Sequence, residues 1–494
     1  MGWANLNFMV YDFVIIGSGY GGMSAAALLA KSGFSVLILE SHTVIGGCAS
    51  FFKRKDFVFD VGATTLSGVL PNQPLGILFN ELEIQPKMRK LEPGMKIHFG
   101  KKTLTRYADK EKWIYESENF FESKKQSDFW NKIFEIDSDV WGFLQNNKQL
   151  PPKSILDLIR LVKFSNFPKV GLLQGIFLPM EFLLEKYGLG KDLLFRKFID
   201  EQLLITTQNT SKDAPFVPSA MGLAYPSETY YPFGGMVEPL RLVAEKFAEF
   251  GGEIKFKEKV TNLAQNKEGF KVTTEKGNSF QAKNVVSNIP IWNLAKITEG
   301  QIQNYFQSES EKFQDAWGAF TLNFGIESKG KITTSYHQIH VEKEIPFCNS
   351  GSIFVSFSQP DDIVKAPEGW QTVTISTHTD VKNWESLSKE NYQEQKEIVT
   401  NFILTEFDKV FEELREAEKM FVLASSPNTF EFYTNREKGF VGGIPHSVKK
   451  NLLTLPSGIT SFKNLFLVGD TVFPGQGVPA VVLSALNVWR KIVG

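Results

Sequence analysis

The sequence predicts an α/β protein of more than one domain, in which parallel strands alternate with helices. Three observations support this. The chain has 494 residues, more than one hydrophobic core usually holds. Residues 11–40, YDFVIIGSGYGGMSAAALLAKSGFSVLILE, are typical of a strand, a helix and a second strand. A third apolar run, LFLVGD, precedes a glycine-rich loop and a final helix at the other end of the chain. Short apolar runs that end at glycine are typical of strands buried in a parallel sheet.

The composition narrows the class of protein. The 54 basic and 55 acidic side chains give a net charge of −1, so nucleic acid is not an expected partner. Cys48 and Cys348 alone build neither a disulfide framework nor a cysteine zinc site, which favours a reducing, cytoplasmic setting. We expect no leader in MGWANLNFMV, and no membrane-spanning helix, since no run of about 18 apolar residues is present. The 44 phenylalanines either fill cores or line an apolar cavity.

The first strand and helix are joined by three glycines in the pattern G-x-G-x-x-G. Gly17 permits a tight turn, Gly19 lets a diphosphate approach the backbone, and Gly22 lets the helix pack close to the strand. The N-terminus of the helix adds free N–H groups and a partial positive charge. The spacing alone is weak evidence, but strand, glycines, helix and second strand occur together and predict a dinucleotide site.

An acidic residue, Glu40, ends the second strand 18 residues after Gly22. A carboxylate there accepts hydrogen bonds from the adenosine ribose and argues against a 2′-phosphate. FAD and NAD both fit this motif. The contacts predicted in this unit are Gly17, Ser18, Gly19, Gly22, Glu40 and Ser41.

Two further glycine segments follow the second strand. The segment IGGCAS carries Gly46 and Gly47, and FVFDVGATTLSG carries Gly62 after a short strand. Each is either an ordinary turn or a place where the chain passes close to a ligand larger than a nucleotide.

The end of the chain favours FAD over NAD. The strand LFLVGD ends in Gly469 and Asp470, and Asp470 is placed to bind a ribityl or ribose hydroxyl. The last helix begins near Gly477 and Val478, and its N–H groups can face a flavin carbonyl that gains charge on reduction. A nicotinamide enzyme has no need of this second cofactor-facing strand, so we expect FAD.

Four stretches together resemble the phytoene desaturase and carotenoid isomerase family of FAD proteins, with retinol saturase as a further relative. They are the N-terminal unit, the GG doublet, YYPFGGMVEPLRLVAEKFAEFGGEIKFKEKV and LFLVGDTVFPGQGVPAVVLSAL. The resemblance implies that Val260 meets the adenine and that Asn288 returns the chain to the cofactor. The wider superfamily commonly carries Arg after the GG doublet, where this chain has Cys48, so a phosphate or ribityl contact is unassigned.

The resemblance also implies the domain organisation. A Rossmann-like FAD-binding domain is expected in three segments, 9–66, 230–290 and 442–494. An inserted α+β substrate domain is expected from 67–229 and 291–441, because long insertions between cofactor segments usually build the substrate site.

Several polar candidates carry weaker signals. His337 and His340 lie in a predicted strand, where they point to opposite faces, so no metal site is expected. His446 either approaches the flavin or is a satisfied structural histidine, and Cys48 is either a thiol near the flavin or a small packed residue. Asp200 and Glu201 lie in a predicted helix and either donate protons to a polyene or form a solvated face, which is the favoured interpretation.

The stretch 169–190, KVGLLQGIFLPMEFLLEKYGLG, either lies on a membrane surface, walls a substrate cavity or is a core helix kinked at Pro179.

The expected function is that of an FAD-dependent oxidoreductase acting on an apolar polyene, by desaturation or cis–trans isomerisation in carotenoid biosynthesis. Reduction of a retinoid or other lipid double bond is the alternative within the same fold. A non-catalytic FAD- or lipid-binding protein is the alternative from another class. Such substrates dissolve in membranes, so a cytoplasmic protein peripheral to a membrane is compatible with the resemblance. The sequence specifies neither a catalytic acid or base nor an oligomeric state.

Overall fold

The computed structural model describes residues 10–147 and 171–494. The strands, in chain order, are β1 (Val10–Ile16), β2 (Val36–Leu39), β3 (Phe51–Arg54), β4 (Phe57–Asp60), β5 (Met88–Lys90), β6 (Met95–Phe99), β7 (Lys102–Arg106), β8 (Tyr230–Pro232), β9 (Glu253–Lys255), β10 (Val260–Gln265), β11 (Phe270–Thr274), β12 (Ser279–Ser287), β13 (Gly318–Glu327), β14 (Tyr336–His340), β15 (Ser352–Phe357), β16 (Trp370–Thr379), β17 (Lys419–Ser425) and β18 (Leu465–Leu467).

The α-helices of the described residues are α1 (Tyr20–Lys31), α2 (Pro74–Leu82), α3 (Lys110–Phe120), α4 (Lys125–Asn146), α5 (Gly171–Phe177), α6 (Met180–Lys186), α7 (Leu193–Thr207), α8 (Phe216–Ala224), α9 (Val237–Glu249), α10 (Ile291–Ile297), α11 (Gly300–Lys312), α12 (Lys389–Val410), α13 (Pro427–Thr434) and α14 (Val478–Val493).

The first sheet brings together strands from distant parts of the chain. Its order is β10-β11-β12-β1-β2-β9, and β18 pairs with the second half of β12. The pairs β12–β1, β1–β2, β2–β9 and β12–β18 are parallel, whereas β10, β11 and β12 form an antiparallel meander. The carboxyl ends of β1, β12 and β18 therefore meet at one edge of the sheet, which is where ligands bind in sheets of this type.

Helices cover both faces of this sheet. On one face α1 packs against α9 and α14, and because α1 is enclosed on all sides its small residues, Ala25, Ala26 and Ala27, are fully buried. On the other face α10 and α11 contribute Trp292 and Phe306 to a second core. The fold class predicted from the sequence is α/β, with a Rossmann-like domain and an inserted α+β domain, and the structure confirms it.

The second sheet is mostly antiparallel, with the order β17-β13-β16-β15-β14-β6-β7. Its strands come from both predicted insertions, because β6 of the first pairs in parallel with β14 of the second. Helix α12 packs on one face through Val399, Ile403 and Phe407. The helices α3, α4 and α6–α8 form an aromatic-rich core on the other side, around Trp113 and Trp130.

The packing differs from the predicted segments in one respect. Helices α10 and α11 pack on the first sheet, although the division at residue 290 assigns them to the inserted domain. The bounds of the two domains stay a prediction.

The apolar stretch 169–190 is only partly described, and its first two residues lie outside the described ranges. A single helix kinked at Pro179 is wrong. The described part forms two short helices, α5 and α6, and Pro179 is the N-cap of the second. In the described part of the chain no helix has the length and apolar character needed to cross a bilayer.

Candidate functional site

The turn between β1 and α1 is built on close backbone contacts. Gly17 has a φ of 92°, a left-handed conformation that favours glycine. A Cβ added at Gly22 would lie 2.2 Å from the carbonyl oxygen of Gly17, so only glycine allows the helix to start this close to the strand. Gly19 is the N-cap of α1 and has no side chain to cover the free N–H groups of the first turn.

Asn288, directly after β12, lies against this turn. An added Cβ at Gly19 would be 2.8 Å from the Asn288 Nδ2 atom, and one at Gly21 would be 2.7 Å from its Oδ1 atom. The same Oδ1 atom lies near Gly469 at the end of β18. The structure thus brings together Gly17, Gly19, Asn288 and Gly469, which lie up to 452 residues apart in the sequence.

Glu40 is buried directly beside this turn. Its Oε2 atom accepts hydrogen bonds from the backbone N–H of Ser18 at 2.8 Å and from the Ser18 hydroxyl at 2.6 Å. Its Oε1 atom accepts from the backbone N–H of His42 at 2.8 Å and from the Ser41 hydroxyl at 3.2 Å. These bonds orient the carboxylate at the end of β2, where a ribose would lie.

The GG doublet lies against the first turn. Gly46 donates its N–H to the Ser18 carbonyl at 3.1 Å, and Gly46 and Gly47 have φ values of 114° and 57°. A Cβ added at Gly47 would be 3.7 Å from the Cα of Gly19, and one at Gly62 would be 2.9 Å from the Cys48 carbonyl oxygen. These glycine segments therefore contact each other and the first turn, and we call the surface that they share the cleft.

Asp470 is held by an arginine that sequence reasoning missed. The Arg436 Nη2 atom donates to the Asp470 Oδ2 atom at 2.8 Å, and the guanidinium also contacts the Cys48 thiol. Burial raises the pKa of the Cys48 thiol, while Arg436 opposes this rise. Cys48 is thus a neutral, half-buried side chain beside a cation. No local pattern around Arg436 indicates this contact, because it depends on a chain reversal after α13.

The N-terminus of the last helix lies at the far side of the cleft. Gly477 is the N-cap of α14 with a φ of 92°, and Val478 is the first helical residue. A Cβ added at Gly475 would be 2.3 Å from the His446 Nε2 atom. Neither ring nitrogen of His446 has a hydrogen-bond partner among the described residues, although the ring is buried. Burial lowers the pKa of His446 to about 4, so the ring is neutral at pH 7. A satisfied structural histidine is therefore the wrong interpretation.

Val260 lies at the start of β10, away from the glycine turns. Its link to the cleft runs through Glu258, whose N–H donates to the Glu40 carbonyl oxygen at 2.8 Å. Val260 itself is buried.

The cleft fits an extended dinucleotide by its own geometry. At Gly17 and Gly47 the nearest atoms to an added Cβ are 3.6 and 3.7 Å away, which is ordinary van der Waals contact, and Gly47 is exposed. The N-termini of two helices, α1 and α14, open onto the same edge of the first sheet, and the carboxylates of Glu40 and Asp470 stand beside them. Helix N-termini bind phosphates and carbonyl oxygens that carry negative charge, and carboxylates bind sugar hydroxyls.

His337 of β14 belongs to a chain of hydrogen bonds, and the described residues contain no group of three or more His, Cys, Asp or Glu side chains that could hold a metal ion. The Thr334 carbonyl can only accept, so the His337 Nε2 atom donates to it at 3.0 Å. The His337 Nδ1 atom then accepts from the His98 Nε2 atom at 3.0 Å, and the His98 Nδ1 atom accepts from the Thr103 hydroxyl at 3.2 Å. His340 stacks on Phe99 with ring centroids 4.1 Å apart.

We expect the protein to lose stability in mild acid because of the two hydrogen-bonded histidines, His98 and His337. Burial lowers the pKa of His98 to about 4 and that of His337 to about 3, below the ordinary value of 6.5. Between these values the unfolded chain binds protons that the folded chain excludes. The stabilisation is therefore complete above pH 6.5 and is lost as the pH falls. We expect the free energy of unfolding, measured with urea, to drop by about 2–3 kcal/mol between pH 6.5 and 5 through this pair.

The double variant His98→Phe/His337→Phe should reduce that dependence without abolishing it, because burial also lowers the pKa values of His340, His378 and His446. If the free energy of unfolding changed equally with pH in the double variant and in the unsubstituted protein, the pH dependence could not be assigned to His98 and His337.

Glu201 is buried, so a solvated face is the wrong interpretation for it. Its carboxylate accepts from the hydroxyls of Ser350 and Ser352 at 2.8 and 2.7 Å and from the N–H of Gly351 at 2.8 Å. Asp200, on the same helix, accepts from the N–H of Ser211. Glu201 thus ties helix α7 to the second sheet, and its oxygens are engaged by that sheet.

The chain is similar to known flavoproteins along nearly its whole length. Residues 20–492 match the family described as flavin containing amine oxidoreductase. Prolycopene isomerase 2 of an Oncidium hybrid cultivar is 28% identical, over 98% of this chain and 84% of that protein. Prolycopene isomerase of Arabidopsis thaliana is 27% identical, over 98% and 82%. All-trans-retinol 13,14-reductase of Danio rerio is 24% identical, over 93% and 82%.

Solved structures show the same fold. Putrescine oxidase bound to putrescine superposes with a TM-score of 0.65 at 14% identity, over 98% of this chain and 99% of that chain. An oxidoreductase from Methanosarcina mazei gives 0.63 at 16% identity, over 97% and 100%. The resemblance stated from the sequence and the expected cofactor are confirmed. Because the family model spans nearly the whole chain, the protein belongs to the flavin-containing amine oxidoreductase family and is an FAD-dependent oxidoreductase.

Proposed function

We propose that this enzyme isomerises double bonds in an apolar conjugated polyene of the carotenoid type. The observation that carries the proposal is the likeness to prolycopene isomerases, which extends over 98% of the chain. The likeness therefore covers both insertions, which build the second sheet and its helical layer, as well as the cofactor segments. Identity to the retinol reductase is lower, at 24%.

The proposal assigns the cofactor contacts to the cleft. The diphosphate would lie at the first glycine turn and the GG doublet, the ribose at Glu40, the ribityl chain at Asp470 and the flavin ring at the start of α14. The full set of proposed contacts is Gly17, Ser18, Gly19, Gly22, Glu40, Ser41, Gly46, Gly47, Gly62, Val260, Asn288, Gly469, Asp470, Gly477 and Val478.

FAD supplies a redox-active ring that exchanges electrons or a hydride with a conjugated chain. The residues of this chain would bind and tune that ring. The free N–H groups at the start of α14 favour negative charge nearby, because they carry the positive end of the helix dipole. His446, neutral and without a partner among the described residues, adds one donor and one acceptor beside Gly475.

The proposal also includes a location at a membrane surface, where such substrates dissolve. Large apolar side chains are exposed on three successive helices, α5, α6 and α7. The ion pair of Arg196 with Glu181 joins the second and third of these helices. The exposed side chains are Phe177, Phe182, Leu193 and Leu194. An exposed apolar group of this kind supports docking on a lipid surface.

Anaerobic turnover tests the function. The holoenzyme is incubated with a poly-cis carotenoid in phospholipid vesicles, with and without chemical reduction of the flavin. We expect an all-trans product of unchanged mass, formed only with reduced flavin, and enzyme that co-sediments with the vesicles. Chromatography separates the isomers and mass spectrometry counts the hydrogens.

The other outcomes contradict the proposal in distinct ways. Loss of two hydrogens with an electron acceptor would identify a desaturase, and gain of two would identify a reductase like the retinol enzyme. Turnover of a primary amine with none of the polyene would assign the chain to the amine-oxidising members of its family. No turnover of any polyene by flavin-loaded protein would favour a lipid-binding protein.

A further inference from the structure

The guanidinium of Arg436 lies between Asp470, after β18, and Cys48, after the GG doublet. Only 11% of its side-chain surface is exposed. It contacts the thiol of Cys48, the residue directly after Gly47, and Gly47 in turn lies against the Cα of Gly19 at the N-terminus of α1. The guanidinium therefore lies beside two glycine turns that contact each other, the one that carries Gly19 and the one that carries Gly47.

Hydrogen bonds and an ion pair hold the segment 435–440 to the end of β2 and to helix α10. Asn435 donates to the Ser41 hydroxyl at 3.4 Å, at the end of β2 where Glu40 lies. The Asn293 side chain on α10 bonds the Asn435 carbonyl at 2.7 Å and the Glu437 N–H at 3.1 Å. Lys296, one turn further along the same helix, pairs with Glu437. These bonds fix the direction from which Arg436 enters.

The arginine has hydrogen-bonding capacity left after its protein contacts. Its Nε atom donates to the Phe440 carbonyl at 2.6 Å and its Nη2 atom to Asp470 at 2.8 Å. The Cys48 thiol lies beside the same guanidinium. A guanidinium has five N–H donors, and these two hydrogen bonds use two of them. The pair with Asp470 explains the orientation of the side chain but uses only part of its capacity.

We propose that Arg436 binds the diphosphate of FAD, reaching it from segment 435–440 across the cleft. Position 48, where a side chain would extend from the GG doublet, carries an uncharged cysteine whose sulfur touches the guanidinium. Arg436 thus supplies the cation that the doublet lacks. Asp470 and the Phe440 carbonyl hold the planar guanidinium in place. Charge-assisted hydrogen bonds from a guanidinium to phosphate oxygens are among the strongest that proteins make.

Ligand fragments separate a phosphate contact from a general loss of structure. The full-length apoprotein is titrated with FAD, with ADP, which carries the diphosphate, and with adenosine, which does not. In Arg436→Gln we expect the dissociation constants of FAD and ADP to rise about 10- to 100-fold, and that of adenosine to change less than about twofold. Arg415→Gln, at an exposed arginine, is the matched control and should change none of them.

A second experiment moves the arginine from position 436 to position 48 and measures ADP binding again. In Cys48→Arg/Arg436→Gln the new guanidinium extends from the other side into the same space, and we expect most of the ADP affinity to return. Arg436→Lys keeps the charge and the pair with Asp470, so it should lose less affinity even if the glutamine variant folds poorly. Equal weakening of ADP and adenosine, or an unchanged FAD dissociation constant, would overturn the proposal, as would a double variant that recovers no ADP affinity.

Discussion

Gly22→Ala should produce a protein that has largely lost FAD. The added Cβ would lie 2.2 Å from the Gly17 carbonyl oxygen and 3.0 Å from the Cβ of Asn288, so α1 must move away from β1. Overpacking of this kind costs about 1–3 kcal/mol, and here the displaced atoms are those that form the turn. We expect FAD affinity, measured by flavin fluorescence, to fall about 10- to 100-fold.

Gly33→Ala is the control for this variant. Gly33 has a φ of 90°, and no atom lies within 4 Å of an added Cβ, so that variant carries only the strain of a left-handed residue. That strain costs about 1–2 kcal/mol and is remote from the cleft. If Gly22→Ala kept its FAD as well as Gly33→Ala, the turn would not be the diphosphate site.

Lys365→Met should be the most destabilising single change among those considered. Lys365 pairs with Asp60, and their side chains are 6% and 4% exposed. Asp60 also accepts from the backbone N–H of Met236 at 2.9 Å, so it joins the end of β4, the start of α9 and a loop of the second sheet. Removing one partner of a buried pair typically costs about 3–5 kcal/mol, because the other charge stays buried without compensation.

A double-mutant cycle measures this interaction. We expect Asp60→Leu/Lys365→Met to lose clearly less free energy of unfolding than the sum of the two single variants, by urea denaturation of the holoenzyme. The pair of Lys124 with Glu118, in which the lysine is 86% exposed, is the control, and Lys124→Met should change the free energy of unfolding far less than Lys365→Met. A cost below 1 kcal/mol for Lys365→Met, or strictly additive losses, would contradict the argument.

The N-terminal unit could be predicted from local sequence because each of its features is local. An apolar run, glycines at fixed spacing and a helix of small residues lie within 30 residues, and the structure has β1, α1 and β2 where the sequence predicts them. The last strand and helix, β18 and α14, were predicted for the same reason.

The features that escaped prediction depend on distant pairing. Nothing near Arg436 shows that it meets Asp470, because the contact requires a reversal of the chain after α13. Glu201 looks like half of a solvated acidic pair, and its burial follows only from the arrival of Ser350 and Ser352 from the second sheet. The same holds for Asp60 and Lys365, 305 residues apart.

The central claim is that both ends of the chain hold a single FAD molecule, and a crystal structure of the full-length holoenzyme tests it most directly. We expect the diphosphate between the Gly17–Gly22 turn and the guanidinium of Arg436, the ribose at Glu40 and the flavin ring at the N-terminus of α14. Electron density that put the ring far from Val478, or the phosphates away from Gly19, would contradict the account.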